Sequence, residues 1–99
     1  MRTMLRVRVP VEAGNKAIQD GSLPKIIQAT VEKLKPEAAY FFPENGVRTA
    51  MFVFDMKDTS EIPQLAESFF MGLNASVEFF PVMNGDDLQK GLGSLASNK

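Results

Sequence analysis

The chain has 99 residues, with 11 Lys+Arg against 12 Asp+Glu, 44% hydrophobic and 23% charged residues, and a net charge of −1. The length fits a single domain over 1–99, and the charge balance excludes a polybasic nucleic-acid binder or an acidic tail. No Cys, His or Trp is present. Thiolate catalysis, disulfides, imidazole-based triads and the usual zinc sites are thereby excluded, and neither a metal nor a cofactor is expected.

Arg2, Arg6 and Arg8 interrupt the N-terminal stretch, so no signal-peptide core forms. No apolar run approaches the ~20 residues of a membrane span. The expected location is the cytoplasm, without a membrane partner. Eight Phe and six Met supply more large apolar surface than a small one-layer core uses, and a chain this short gains stability by association.

Taken in order, residues 4–11 alternate: Leu5, Val7, Val9 and Val11 share one face, and Met4, Arg6 and Arg8 the other. This predicts a half-buried strand. Gly14-Asn15 breaks it, and a short helical piece over 16–19 follows. Ser22 is placed to cap a helix in which Leu23, Ile26, Ile27, Val31 and Leu34 recur at helical spacing before Pro36 stops it. Residues 38–43 and 48–56 read as strands joined at Asn45-Gly46, the strongest short hairpin signal, because both residues accept positive φ.

Asp58 and Glu61 form a capping-box pattern ahead of a helix with Ile62, Leu65, Ala66, Phe69, Phe70 and Leu73 as its stripe, ended by Asn74. Residues 76–82 are a fourth strand. A turn at Asn84-Gly85-Asp86 leads into a short helix through Leu88 and Leu92, and 93–99 is expected to be a frayed tail.

The succession β-α-β-β-α-β predicts an α+β, ferredoxin-like fold: a four-stranded antiparallel sheet of order 4-1-3-2 with helices on one face. Phe41-Phe42-Pro43 and Phe79-Phe80-Pro81 agree with this, since proline is tolerated in edge strands. Adjacent Phe residues point to opposite faces. With a two-residue turn at Asn45-Gly46, Glu44 faces Val47, Phe42 faces Thr49 and Tyr40 faces Met51. One face then holds Ala39, Phe41, Ala50, Phe52 and Phe54 with Leu5, Val7, Val9, Val77 and Phe79, and belongs under the helices. The other carries Arg6, Arg8, Tyr40, Phe42, Thr49, Met51, Val53, Asp55, Glu78 and Phe80. This second face is too apolar for a monomer surface, and a second copy packed against it would cover it as a dimeric α+β barrel.

The stretches Asn45-Gly46-Val47-Arg48-Thr49, Ile62-Pro63 to Phe70, and Pro81-Val82-Met83 to Asp87-Leu88-Gln89-Lys90-Gly91-Leu92 resemble the dimeric α+β-barrel superfamily, and within it a group of small bacterial proteins. The resemblance spans most of the chain and implies a homodimer built through the open sheet face. The superfamily includes haem-degrading enzymes, cofactor-independent monooxygenases and lactone isomerases. The first two commonly rely on His, Trp or Asn in the barrel, and this chain has no His or Trp.

Arg6, Arg8, Tyr40, Phe42, Met51, Asp55, Glu78 and Phe80 form the candidate barrel site. On one reading the arginines bind a carboxylate while Tyr40 and Phe42 stack on the ligand. On the other, which the matched charges favour, Arg6 and Arg8 are neutralised across strands by Asp55 and Glu78 and set the dimer register. Acid–base work by Asp55 and Glu78 needs a raised pKa, which neighbouring arginines oppose. Tyr40 reads best as an amphipathic interface residue.

Asp86-Asp87 is better read as a helix start than as a metal site. Asn74-Ala75-Ser76 and the G-x-G-x-x-A match at 91–96 lack the context their chemistry requires. RNA binding through sheet aromatics needs a basic surface. The leading expectation is a binding protein for a small aromatic or anionic metabolite. The alternatives are a cofactor-independent, isomerase-like enzyme or a structural assembly module.

Overall fold

The computed structural model describes residues 1–97. The elements are β1 (Arg2–Val9), α1 (Val11–Gln19), α2 (Ser22–Leu34), β2 (Ala38–Glu44), β3 (Val47–Asp55), α3 (Glu61–Leu73), β4 (Ser76–Pro81) and α4 (Gly85–Ser97). The fold is α+β, with one antiparallel four-stranded sheet of order β2-β3-β1-β4. Counted from the other edge, the same succession reads 4-1-3-2. The two Phe-Phe-Pro segments lie in the edge strands, where the missing N–H of Pro43 and Pro81 disrupts least.

The hairpin fixes the register of the sheet. Asn45 and Gly46 adopt φ of 53° and 81°, as a two-residue turn between right-twisted strands demands. Glu44 pairs with Val47, Phe42 with Thr49 and Tyr40 with Met51. Leu5, Val7, Val9, Ala50, Phe52 and Phe54 are consequently buried beneath the helices, with Leu65, Phe69 and Leu73 of α3 packed on them. Phe41 points to the same side and meets the Phe52 ring edge-on at 5.8 Å between centroids. It nevertheless remains 53% exposed at the sheet edge.

The first connection differs from expectation. The strand ends at Val9 and a full helix, α1, begins at Val11. Pro10, at φ −55° and ψ 145°, stands at the helix N-cap, where its lack of an N–H costs nothing, and its carbonyl accepts the Gly14 N–H at 2.8 Å. Gly14 does not break the chain. A Cβ there would lie 2.6 Å from Arg48 Nη1 and 3.3 Å from Val9 Cγ1, so glycine lets the helix approach the sheet closely.

Helix α2 ends on Lys35 in the left-handed region, φ 46°, and α3 ends on Asn74, φ 50°. Glu61 Oε2 accepts the backbone N–H groups of Lys57 and Asp58 at the start of α3.

The last helix is longer than the sequence pattern suggests. Residues 93–97, expected to fray, are its final turns, while 98 and 99 lie outside the described residues. Its start is fixed by a reciprocal cap: Asn84 Oδ1 accepts the Asp87 N–H at 2.8 Å, and Asp87 Oδ2 accepts the Asn84 N–H at 3.1 Å. None of the described helices is long and apolar enough to cross a membrane.

Candidate functional site

The sheet face away from α1, α2 and α3 is arranged in three rows. Tyr40, Met51, Arg6 and Glu78 stand in one; Phe42, Thr49, Arg8 and Ser76 in the next; Ala38, Val53, Met4 and Phe80 in the third. Side-chain alternation along paired strands dictates this placement once the hairpin register is set. Seven of the eight candidate residues thus come together on this face, with Asp55 at its end opposite Arg2. The apolar members are less exposed than expected. Tyr40 stands out into solvent, whereas Phe42, Met51, Val53 and Phe80 are half-buried, and Thr49 is buried.

The expected charge pairing does not form. Arg8 Nη2 lies 2.9 Å from Glu44 Oε1, a residue the sequence pattern had not brought into the site. Glu44 could have been found: it lies two residues beyond Phe42, on the same face of the strand. Arg8 Nε and Glu44 Oε1 are buried without an aligned hydrogen bond, so the contact is an ion pair by distance whose hydrogen-bond directions are unmet. Arg2 supplies a second missed cluster, with Nε at 2.7 Å from Glu37 and Nη1 at 2.9 Å from Asp87.

Asp55 is committed elsewhere. It accepts from Lys57 Nζ at 2.8 Å and from the N-terminal amine at 2.7 Å. Lys57 first, then the terminal amine, holds its carboxyl down to about 2. At neutral pH it is a fixed anion at the rim, unsuited to donate a proton. Glu78 is exposed and, among the described residues, makes no ion pair.

Arg6 is left distinct. Its guanidinium carbon lies 5.7 Å from the Phe80 ring centroid, within cation–π range. It has no carboxylate partner among the described residues, and its Nε is buried with no acceptor. A buried donor without a partner is costly, and a planar donor fork beside an aromatic face suits a flat carboxylate.

Beside Arg8, a hollow of about 420 Å³ is lined by Val9, Pro10, Asn45, Val47, Asn74 and Ser76. Among the described residues, no group of three or more His, Cys, Asp or Glu side chains is placed to hold a metal. No family model matches the chain, and no curated protein matches it.

Proposed function

We propose that the chain acts as a cytoplasmic homodimer, a ferredoxin-like α+β barrel closed by two sheets packed face to face, and that it binds a small aromatic or anionic metabolite between them. The observation that carries this reading is Arg6: a permanent cation on a half-buried apolar face, over Phe80, without a carboxylate partner and with a buried donor unmet. A bound carboxylate would satisfy that donor and neutralise the charge. Tyr40 and Met51, in the same row, would offer apolar contact to a ring. A second sheet supplies the missing wall of the chamber and covers Met51, Val53 and Phe42. Acid–base catalysis loses support because Asp55 is held to about 2 by Lys57 and the chain terminus.

Native mass spectrometry of the purified protein, followed by titration with benzoate as an aromatic anion, tests the reading. A dimer that binds benzoate, with affinity lowered tenfold or more in Arg6→Gln, is expected. A monomer at micromolar concentration would remove the barrel. A dimer indifferent to benzoate would remove the aromatic-carboxylate site and favour an assembly module.

A further inference from the structure

On the helix side of the sheet, β3 presents Arg48, Ala50, Phe52 and Phe54 in one row. The last three are core residues, buried under the helices. The first is a permanent cation at a position where alternation calls for an apolar side chain. Arg48 stands in register between Val9 of β1 and Pro43 of β2, at the hairpin end of the sheet.

Arg48 is half-buried and has no carboxylate partner among the described residues. Its guanidinium lies against α1, with Nη1 2.6 Å from the position that a Cβ on Gly14 would take. Nη2 donates to Asn15 Oδ1 at 3.1 Å. The Asn15 amide is neutral, so it orients the guanidinium without cancelling its charge. Glu44 follows Pro43 in the chain, but its side chain is turned to the opposite face, where it pairs with Arg8. The fork thus keeps its charge and further donors for an anion from outside.

The remaining surroundings are apolar. Helix α2 rests on α1 and α3 and leaves a furrow of about 440 Å³ on its other flank, between itself and β2. Ile18, Leu23, Ile27, Phe41 and Pro43, among others, line it together with Arg48. Ile18 and Phe41 are each about half exposed there. The volume falls within the ~300–1,000 Å³ typical of small-molecule sites. Leu23 and Ile27 are one turn apart on α2 and form an aliphatic wall. A wall of this kind beside one oriented guanidinium is complementary to a linear aliphatic chain that ends in a carboxylate.

We infer that the α2–β2 furrow is a fatty-acid site. It takes a medium-chain aliphatic carboxylate, with the tail against Ile18, Leu23, Ile27 and Phe41 and the headgroup on Arg48. The site lies on the opposite side of the sheet from Arg6 and needs no second copy of the chain.

Isothermal titration of the full chain with hexanoate, octanoate and decanoate tests this. One octanoate per chain is expected, with affinity rising by up to about fourfold per added CH₂ group. Octanoate should bind about tenfold more tightly than 1-octanol, which has the same tail without the charge. Arg48→Gln should abolish that preference while 1-octanol still binds. Ile18→Glu, at a half-exposed helix position, should reject octanoate by placing a like charge in the furrow. It keeps the test open should Arg48→Gln fail to fold. Arg6→Gln should leave octanoate binding unchanged.

Absence of octanoate binding at millimolar concentration would overturn the proposal. So would binding that Arg48→Gln and Ile18→Glu leave intact. Binding removed by Arg6→Gln would place octanoate on the open sheet face and overturn it as well. A dimer that excludes octanoate and that Ile18→Glu dissociates would put a second copy in the furrow, again overturning the site. Benzoate binding through Arg6 is read separately, so either site can fail while the other stands.

Discussion

Two arginines on one sheet face separate into two roles, and glutamine substitutions tell them apart. Arg8 and Glu44 are 2.9 Å apart, with side chains 32% and 29% exposed. Removing one partner of a fully buried pair costs about 3–5 kcal/mol, and an exposed pair contributes about 0–1 kcal/mol. At one-third exposure, with the hydrogen-bond directions unmet, Arg8→Gln is expected to cost about 1–2 kcal/mol. For a domain of this size that is a fall in Tm of about 5–15 °C. Arg6 has no such partner, so Arg6→Gln should cost less stability than Arg8→Gln, the lost contact over Phe80 being offset by relief of the unmet buried donor. It should instead weaken benzoate binding by about 10- to 100-fold, the loss of one charge-assisted contact. Urea unfolding gives the first quantity and isothermal titration the second, and a double-mutant cycle over Arg8→Gln and Glu44→Gln isolates the pair. Equal destabilisation by the two arginine substitutions, or loss of benzoate binding only in Arg8→Gln, would refute this division of roles.

Further outcomes follow from the local structure. Lys35 closes α2 at φ 46°, so Lys35→Gly should raise stability by about 1 kcal/mol in urea unfolding. Phe52, with no exposed surface at the centre of the core, should lose about 3–5 kcal/mol on replacement by alanine, read as a lower urea midpoint. Asp55 titrates near 2 in the folded chain against 3.8 ordinarily. Its stabilising contribution is therefore present above pH ~4 and is lost as the pH falls toward 2. Thermal midpoints recorded from pH 5 down to 2 should fall less steeply in Asp55→Asn than in the parent chain.

Much of the sheet could be read in the sequence because its determinants are local. Asn45-Gly46 sets a two-residue turn, and that turn alone assigns every side chain of β2 and β3 to a face. Alternation in β1 then places Arg6 and Arg8 opposite Leu5, Val7 and Val9. What escaped was decided by tertiary contact. Gly14 looked like a break, yet the helix runs through it, with Arg48 and Val9 close enough that a Cβ there would lie 3.3 Å from Val9 Cγ1. Likewise Asn84 was visible as a turn residue and Asp86-Asp87 as a helix start, but the helix that Asn84 and Asp87 cap continues to Ser97 through two glycines. Propensity alone would have ended it earlier.

The candidate site was legible as a set of residues and illegible as a set of bonds. Arg6 and Arg8 balance Asp55 and Glu78 in number on the open face, but the register of paired strands does not decide which charges meet. Long side chains reach further than adjacent strands. Arg8, on β1, crosses β3 to meet Glu44 on β2, and Asp55 turns outward to a lysine two residues on and to the chain's own amine. Those two diversions leave Arg6 beside Glu78, its register partner on β4, yet among the described residues no ion pair forms between them. The cation that cross-strand pairing would have neutralised sits over Phe80 with a buried donor unused. In a chain of net charge −1, acids are available to pair with it. Among the described residues none does, and the buried Nε of Arg6 stays without an acceptor, the open donor on which the proposed anion site rests.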